Sequence, residues 1–260
     1  MPFEEIYLTG LFVLFACLTA LWLLSLRIHD SSIVDIFWGS GFVIVALVYF
    51  VLSDGYSGRK WLMLILVAIW GMRLTIHLAR RNLGKGEDFR YQNWRREHGT
   101  SWWWRSYFQV YLLQGVLLWL VSLPLLAAQV PAQPDHFIWL DAAAAMLWGI
   151  GFFFEAVGDY QLTCFKSNPD NTGKVLDSGL WRYTRHRNYF GDAVQWWAFY
   201  MLALSAGAWW AIISPIVMTF LLMCVSGVAL LEQSLKKHKP RYEEYMKNTS
   251  AFFPLPPREK

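Results

Sequence analysis

Runs of about 20 apolar residues recur along the chain, and they constrain its fold more than any other feature. Each run is long enough for a helix to cross the hydrocarbon core of a bilayer, which is about 30 Å thick. Backbone groups in lipid must be hydrogen-bonded within the chain, which favours helices. We therefore predict an all-α, polytopic integral membrane protein with one domain over residues 1–260. Its seven predicted transmembrane helices lie near residues 6–27, 34–53, 60–80, 106–128, 137–158, 193–207 and 209–231.

The composition and the charge pattern agree with a membrane protein. Hydrophobic residues make up 56% of the chain and charged residues 16%, whereas soluble domains carry about 25% charged residues. The basic residues cluster in alternate loops and in the C-terminal tail. The positive-inside rule then places the N-terminus outside and the C-terminus in the cytoplasm, which in a bacterium means the inner membrane. The net charge of +4 thus indicates topology and not a nucleic-acid partner.

The cysteines and the N-terminus exclude some other classes. Cys17, Cys164 and Cys224 are widely separated, so they predict neither a disulfide framework nor a metal site. The first apolar run follows Glu4 and Glu5 and lacks a clear cleavage site, which favours a retained helix over a signal peptide.

The stretch from Leu176 to Asp192, LDSGLWRYTRHRNYFGD, is the densest polar segment between the apolar runs. Arginine and histidine donors stand beside aromatic rings there, a combination that suits an anionic, ring-bearing ligand such as a nucleotide. The alternative is a basic loop that only holds the chain against anionic lipid. The candidate ligand-binding residues of this stretch are Tyr183, Arg185, His186, Asn188, Tyr189 and Asp192.

Charged residues inside predicted spans are costly and usually face a cavity or a partner. Asp35 and Trp38 are three positions apart, so they share one face of the second span. Arg73 lies inside the third span, where an ion pair with Asp35 or Glu155 is the structural alternative to a functional role. For Asp35, the alternative is that its carboxylate only caps a helix near the membrane interface.

Further polar residues lie near the predicted cytoplasmic ends. Glu155 and Asp159 are one turn apart, and could either hold ribose hydroxyls or neutralise the basic loops. In GKGEDFRY, residues 84–91, the glycines on both sides of Lys85 allow backbone amides to approach a phosphate, unless the segment is merely a solvated loop. Glu232 closes the seventh span and Tyr242 begins an amphipathic tail helix. No dinucleotide fingerprint, P-loop, nucleophile elbow or HExxH zinc helix is present.

Several motifs together resemble the steroid 5-alpha-reductase C-terminal family, especially its bacterial membrane branch. They are GLWRYTRHRNYFGD, LLEQSLKKHKPRYEEYMKNTSAFFP, SSIVDIFWG and GEDFRY, and the likeness covers about residues 30–256. The RHxxYxG element alone also occurs in isoprenylcysteine methyltransferases. Two positions depart from the pattern: Arg187 stands where those families usually have Pro, which is expected to alter the turn of the loop, and Trp70 lies near the position of a substrate-binding Tyr.

The resemblance implies seven transmembrane helices around NADPH, with a cytoplasmic-side cofactor pocket, and reduction of the C4–C5 double bond of a 3-oxo-Δ4 steroid or a related enone lipid. It implies a nicotinamide-side role for Asn188 and Asp192, and nucleotide contacts for Asp159 and Glu155. Lys166, Arg80 and Arg81 are implied as phosphate contacts, and Glu232 and Tyr242 as further cofactor-binding residues.

These implications lead to a catalytic hypothesis. Asp35 replaces the family's substrate-binding Glu, and as a protonated acid it would stabilise the enolate oxygen, with Trp38 and Arg73 orienting it. The alternatives are a membrane methyltransferase that uses S-adenosylmethionine and a non-catalytic sterol or lipid carrier. The sequence leaves the substrate and the oligomeric state open, a monomer included.

Overall fold

The computed structural model describes residues 1–225 and 242–257, and every regular element in these ranges is helical. One isolated bridge joins Thr184 and Ser250. The α-helices are α1 (Phe3–Ile28), α2 (Ile33–Leu52), α3 (Ser57–Asn82), α4 (Phe89–His98), α5 (Trp102–Ser106), α6 (Leu113–Val121), α7 (Leu123–Ala127), α8 (Trp139–Ser167), α9 (Arg187–Ser205), α10 (Ile213–Phe220) and α11 (Tyr242–Asn248). Short 3₁₀ turns lie at Gly99–Ser101, Pro169–Asn171, Gly179–Arg182 and Trp209–Ile212, and π-helical turns at Tyr107–Leu112 and Leu221–Val225.

Five helical segments of the described residues are long and apolar enough to cross a membrane, as expected for a polytopic membrane protein. They are Phe3–Ile28, Ile33–Leu52, Ser57–Asn82, the run Phe89–Ala127 that contains α4 to α7, and Trp139–Ser167. They contain the first five predicted spans or most of their length.

The sixth and seventh predicted spans differ from the expectation. Helix α9 covers most of the sixth span, but it begins at Arg187, so three predicted ligand-binding residues of the loop lie within this helix. The seventh span starts in the shorter apolar segment Trp209–Cys224, and its remaining residues lie outside the described part of the chain.

Contacts divide the chain into two compact units. The first unit comprises Met1–Ile138 with Leu202–Ala211, and the second comprises Trp139–Met201 with Ile212–Lys260.

In the first unit, α2 packs closely on α3 through glycine. A Cβ atom placed on Gly71 would lie 2.5 Å from the Gly39 carbonyl oxygen, so the two backbones approach as only small residues permit. Helix α4 begins where the Asp88 carboxylate accepts a hydrogen bond from the Arg90 amide at 3.0 Å, which is an ordinary N-cap. Tyr91 of α4 belongs to a buried cluster that includes Val34 of α2. This packing brings the start of α4 against the start of α2.

In the second unit, α8 and α9 cross at a pair of glycines. A Cβ atom on Gly151 would lie 2.6 Å from the Gly191 carbonyl oxygen. The segment before α9 is tied to the C-terminal segment, because the Arg185 amide donates to the Ser250 carbonyl at 2.9 Å. These contacts place the polar ends of α8, α9 and α11 in one unit.

Candidate functional site

The first unit contains a chain of hydrogen bonds centred on Asp35, which we call the Asp35 cluster: Asp35, Trp38, Arg90, Tyr91 and Gln114. Arg90 Nη2 lies 2.7 Å from Asp35 Oδ2, and the Tyr91 hydroxyl donates to Asp35 Oδ1 at 2.7 Å. Gln114 Nε2 donates to the Tyr91 oxygen at 3.3 Å, and Trp38 Nε1 donates to Gln114 Oε1 at 2.6 Å. Both oxygens of Asp35 therefore accept hydrogen bonds, one from a cation and one from a phenol.

This geometry bears on the role expected for Asp35. The Arg90 guanidinium and the Tyr91 hydroxyl favour the ionised carboxylate, whereas burial favours the protonated acid. Tyr91 is only 3% exposed, and its hydroxyl donates to this carboxylate. The cluster thus offers Tyr91 as a second candidate acid beside Asp35, whose predicted role stays a prediction.

Trp38 and Arg73 are the two residues expected to orient Asp35. Trp38 donates to Gln114, so it reaches Asp35 only through Gln114 and Tyr91. Arg73 is partly buried on α3, and Arg90 of α4 is paired with Asp35. Arg90 and Tyr91 of α4 thus hold the carboxylate, and the orienting role of Arg73 stays a prediction.

The loop before α4 supports this arrangement through two acidic residues. Burial raises the pKa of Glu87, but hydrogen bonds from Arg95 and from the Ser31 amide outweigh burial, so the pKa is lowered from its ordinary value of 4.5. Arg95 donates two hydrogen bonds to the Glu87 carboxylate, from Nε to Oε2 at 2.9 Å and from Nη2 to Oε1 at 2.8 Å. Burial likewise raises the pKa of Asp88, but hydrogen bonds from Arg90 outweigh it and lower the pKa. GEDFRY thus holds the start of α4 on the turn before α2.

The two remaining predicted cations of the first unit are Arg80 and Arg81. Both are exposed in the last turn of α3, where Arg81 Nε donates to the Asn82 side chain at 3.1 Å. Their predicted phosphate contacts remain predictions.

The second unit buries the predicted acidic pair on α8. Glu155 is 3% exposed and Asp159 is 8% exposed. Gln195 of α9 donates from Nε2 to Glu155 Oε2 at 2.7 Å. One turn further along α8, the Gly158 carbonyl accepts a hydrogen bond from Arg187 Nη2 at 2.7 Å. The two helices are therefore joined by hydrogen bonds close to their glycine crossing.

The residues around the start of α9 have distinct positions. Arg185 is buried and donates from Nη1 to the carbonyls of Met246 and Thr249, both at 2.7 Å. His186 is buried and its ring stacks on that of Tyr189, with 5.7 Å between the centroids. The structure thus gives Arg185 a role in holding the C-terminal segment, in addition to its predicted ligand contact.

The other predicted cofactor-binding residues of the second unit range from exposed to buried. Tyr183 and Lys166 are exposed, Asn188 and Asp192 are partly buried in the first turns of α9, and Tyr242 is buried at the start of α11. Glu232 lies outside the described residues. A cavity of about 300 Å³ opens beside Arg185 and is lined by the C-terminal segment, including the polar residues Lys247 and Thr249.

Within residues 1–225 and 242–257, no group of three or more His, Cys, Asp or Glu side chains is placed to hold a metal ion.

Comparison with known proteins places the chain in a family. Residues 21–249, most of the chain, match the family described as a protein of unknown function, DUF1295. The chain belongs to this family. This DUF1295 protein is similar to an uncharacterized protein of Schizosaccharomyces pombe. The two are 25% identical over 278 residues, which cover 95% of this chain and 79% of the yeast protein. No solved structure matches the chain.

In this DUF1295 protein, the sequence did not single out several residues that hydrogen-bond to the predicted ones, around Asp35 in the first unit and around Glu155 in the second. Arg90 and Tyr91 lie 55 and 56 positions from Asp35, and Gln114 belongs to another helix again. Arg90 and Tyr91 could have been noticed as a cation and a phenol that adjoin each other at the start of a helix. Gln195 is a buried amide in a transmembrane-like sequence, which is itself a sign of a polar partner.

Proposed function

We propose that this protein is an NADPH-dependent reductase of a membrane-soluble enone, with a 3-oxo-Δ4 steroid or a related lipid as its substrate class. When bound, NADPH supplies a hydride to the β-carbon of the enone, which is C5 of a steroid. The observation that carries the proposal is the buried Tyr91 hydroxyl held by Asp35 and Arg90 within a helical membrane unit. The motif resemblance supplies the reaction class.

The residues of the Asp35 cluster would do the acid chemistry. Negative charge develops on the carbonyl oxygen as the β-carbon is reduced, and a positioned donor lowers the energy of that state. Tyr91 gives its proton to this oxygen and regains one from water, and the resulting enol converts to the saturated ketone. In total, one hydride and one proton are added across the carbon–carbon double bond.

Two neighbours would offset part of the cost that burial and the Asp35 carboxylate impose on loss of the Tyr91 proton. The guanidinium carbon of Arg90 lies 5.3 Å from the centre of the Tyr91 ring, so its charge offsets that of a tyrosinate. Gln114 donates to the same phenolic oxygen and helps to stabilise it after the proton leaves. Asp35 fixes the direction of the hydroxyl and so acts as a positioning residue.

The chemistry of the second unit fits a dinucleotide. Arginine and lysine donors suit its phosphates, and the buried Glu155 and Asp159 carboxylates suit ribose hydroxyls or an amide. Asn188 and Asp192 lie in the first turns of α9, where an amide and a carboxylate can pair with the nicotinamide carboxamide. We assign cofactor binding to these residues.

The first experiment measures thermal stability of the detergent-purified protein with NADPH, NADH or S-adenosylmethionine. A ligand at 100 times its dissociation constant adds about 2.7 kcal/mol of stability, so binding is readily seen. Selective stabilisation by NADPH, followed by NADPH oxidation with a 3-oxo-Δ4 steroid, supports the reductase. Stabilisation by S-adenosylmethionine alone indicates methyl transfer, and no shift with any of the three indicates a lipid carrier.

Variants then separate the two groups of residues. Asp35→Asn should lower turnover more than it lowers NADPH affinity, because Asn cannot hold the Tyr91 proton as a carboxylate does. Asn188→Ala and Asp192→Ala should instead weaken NADPH binding. A wild-type dissociation constant for both of the latter variants would refute their assignment to the cofactor.

We also propose seven transmembrane helices with the N-terminus outside and the C-terminus cytoplasmic. In a variant whose native cysteines are serine, Lys85→Cys should react with a membrane-impermeant thiol reagent only after the cytoplasmic side is opened. A cysteine at Asp54, in the loop between α2 and α3, should react in intact cells. The reverse pattern would overturn the orientation.

A further inference from the structure

Arg187 and Trp181 form a stacked pair at the start of α9. The guanidinium carbon of Arg187 lies 3.0 Å from the centre of the Trp181 ring, and the side chain of Arg187 is fully buried. Gly158 of α8 provides the space, because a Cβ atom there would collide with the Arg187 side chain. The Trp181 carbonyl accepts a hydrogen bond from the Tyr245 hydroxyl, which fixes the backbone of the pair.

Three donor nitrogens of this pair are buried and, among the described residues, have no acceptor. They are Arg187 Nε, Arg187 Nη1 and Trp181 Nε1, whereas Arg187 Nη2 donates to the Gly158 carbonyl. Burial lowers the pKa of Arg187 to about 9, and the nearby charge of Asp159 opposes this effect only in part. Buried donors without acceptors are costly and rare in folded proteins. Within the described residues, the pair therefore has donors available for a further acceptor.

Two features of the surroundings favour an anion as that acceptor, and the nearby Asp159 carboxylate opposes them. Arg187 is the first residue of α9, and the amino-terminal end of a helix attracts negative charge through its free amides and its dipole. Planar guanidinium groups also recognise phosphate well, since several N–H groups point in fixed directions. A phosphate offers enough oxygen atoms for the two guanidinium nitrogens and the indole together.

We propose that Arg187 and Trp181 form a phosphate subsite at the start of α9. The identity of its ligand rests on the proposed function, which makes it a phosphate of the NADPH dinucleotide; the phosphate of a lipid headgroup offers the same chemistry. The three nitrogens are closed off from solvent in the structure, so the partly exposed Trp181 side chain must turn aside as the phosphate enters.

The test compares Arg187→Met with the wild-type full-length protein. Methionine fills most of the space of the arginine but has neither charge nor donors. We expect the dissociation constant for NADPH to rise about tenfold or more, the usual effect of losing a charged hydrogen bond. Trp181→Phe keeps a ring over position 187 and removes one neutral donor, so a rise of about two- to tenfold is expected. Arg182→Met is the matched control, because Arg182 is exposed in the same turn, and its effect should stay below about twofold.

Related ligands identify the phosphate. A loss for NADPH but not for NADH assigns the pair to the ribose phosphate, and an equal loss for both assigns it to the pyrophosphate. Either result supports the subsite. In the absence of ligand, Arg187→Met should unfold at the same temperature as the wild type or higher, since it removes unpaired donors. A marked fall would show that Arg187 is a packing residue and would overturn the proposal.

Failure of the subsite and failure of the reductase give different results. If the wild type binds NADPH and Arg187→Met binds it as tightly, the subsite is refuted and the reductase stands. If the wild type binds no dinucleotide, the reductase is refuted, and pyrophosphate and nanodiscs of phosphatidylglycerol become the probes. Stabilisation of the wild type but not of Arg187→Met by either probe supports the subsite, whereas equal responses of the two proteins overturn it.

Discussion

Tyr91→Phe tests the proposed chemistry most directly, because it removes one oxygen atom from a buried ring. The variant loses the 2.7 Å hydrogen bond to Asp35 Oδ1 and the 3.3 Å bond from Gln114, while Arg90 remains 2.7 Å from Asp35 Oδ2. The carboxylate therefore keeps its charged partner, and the free energy of unfolding should fall by only about 1 kcal/mol. Turnover should fall much further.

The expected loss of turnover follows from the role of the donor. Removing one donor to a developing oxyanion costs about 2.7–4 kcal/mol of transition-state stabilisation, which is about 10²–10³ in kcat. The assay follows NADPH oxidation with a 3-oxo-Δ4 steroid at saturating substrate, together with the dissociation constant of NADPH. We expect kcat to fall and the dissociation constant to stay unchanged.

Tyr49→Phe is the matched control for this experiment. Tyr49 is also fully buried on α2, and its hydroxyl lies 2.9 Å from Ser122 Oγ. It is about four helical turns from Asp35. This variant should show a similar small loss of stability and wild-type turnover. If Tyr91→Phe turns over as fast as Tyr49→Phe, Tyr91 is not the proton donor and the mechanism is wrong.

Two further predictions concern stability. Because the folded-state pKa of Glu87 lies below its ordinary value of 4.5, its contribution to stability is present above that pH and is lost as the pH falls through the folded pKa. Glu87→Gln should therefore unfold at a lower temperature than the wild type at pH 7 and lose less stability on acidification, while the exposed Glu97→Gln behaves as the wild type; parallel pH profiles for Glu87→Gln and wild type would contradict this. Gly151→Ala should destabilise the second unit by about 1–3 kcal/mol, since its Cβ would lie 2.6 Å from a carbonyl oxygen of α9. Gly149→Ala on the same helix meets nothing within 4 Å and should be neutral or stabilising, so equal thermal shifts of the two variants would refute the close crossing.

The apolar helices could be predicted from the sequence because length and hydropathy determine them. The second span was expected at 34–53 and is observed at Ile33–Leu52. The start of α9 was missed, because the residues from Arg187 to Asp192 are polar enough to resemble a loop. A polar first turn is compatible with a helix whose end lies among other polar groups. The predicted sixth span therefore began too late, at residue 193, because the polar residues before it were taken for a loop.

The partners of buried polar residues were harder to predict than the residues themselves. Asp35 was found from its cost in an apolar helix, and helical spacing then suggested Trp38 as its neighbour. Spacing gives the face of a residue, but the groups opposite that face come from other helices. Arg90 and Tyr91 reach Asp35 because α4 packs on α2 through a buried cluster that includes Tyr91 and Val34. Asp35 could be singled out from the sequence, but the side chains that hydrogen-bond to it could not.

Arg187 was also noticed in the sequence, but its structural consequence was not foreseen. The motif that the chain resembles has Pro at this position, and we expected the replacement to alter the turn of the loop. The structure instead begins α9 at Arg187, and proline is favoured at the first position of a helix, where the missing N–H costs nothing. Proline and arginine therefore suit the same backbone, and the exchange adds only a side chain. That side chain lies between Gly158 and Trp181, so the consequence of the replacement is a buried cation and not a different turn.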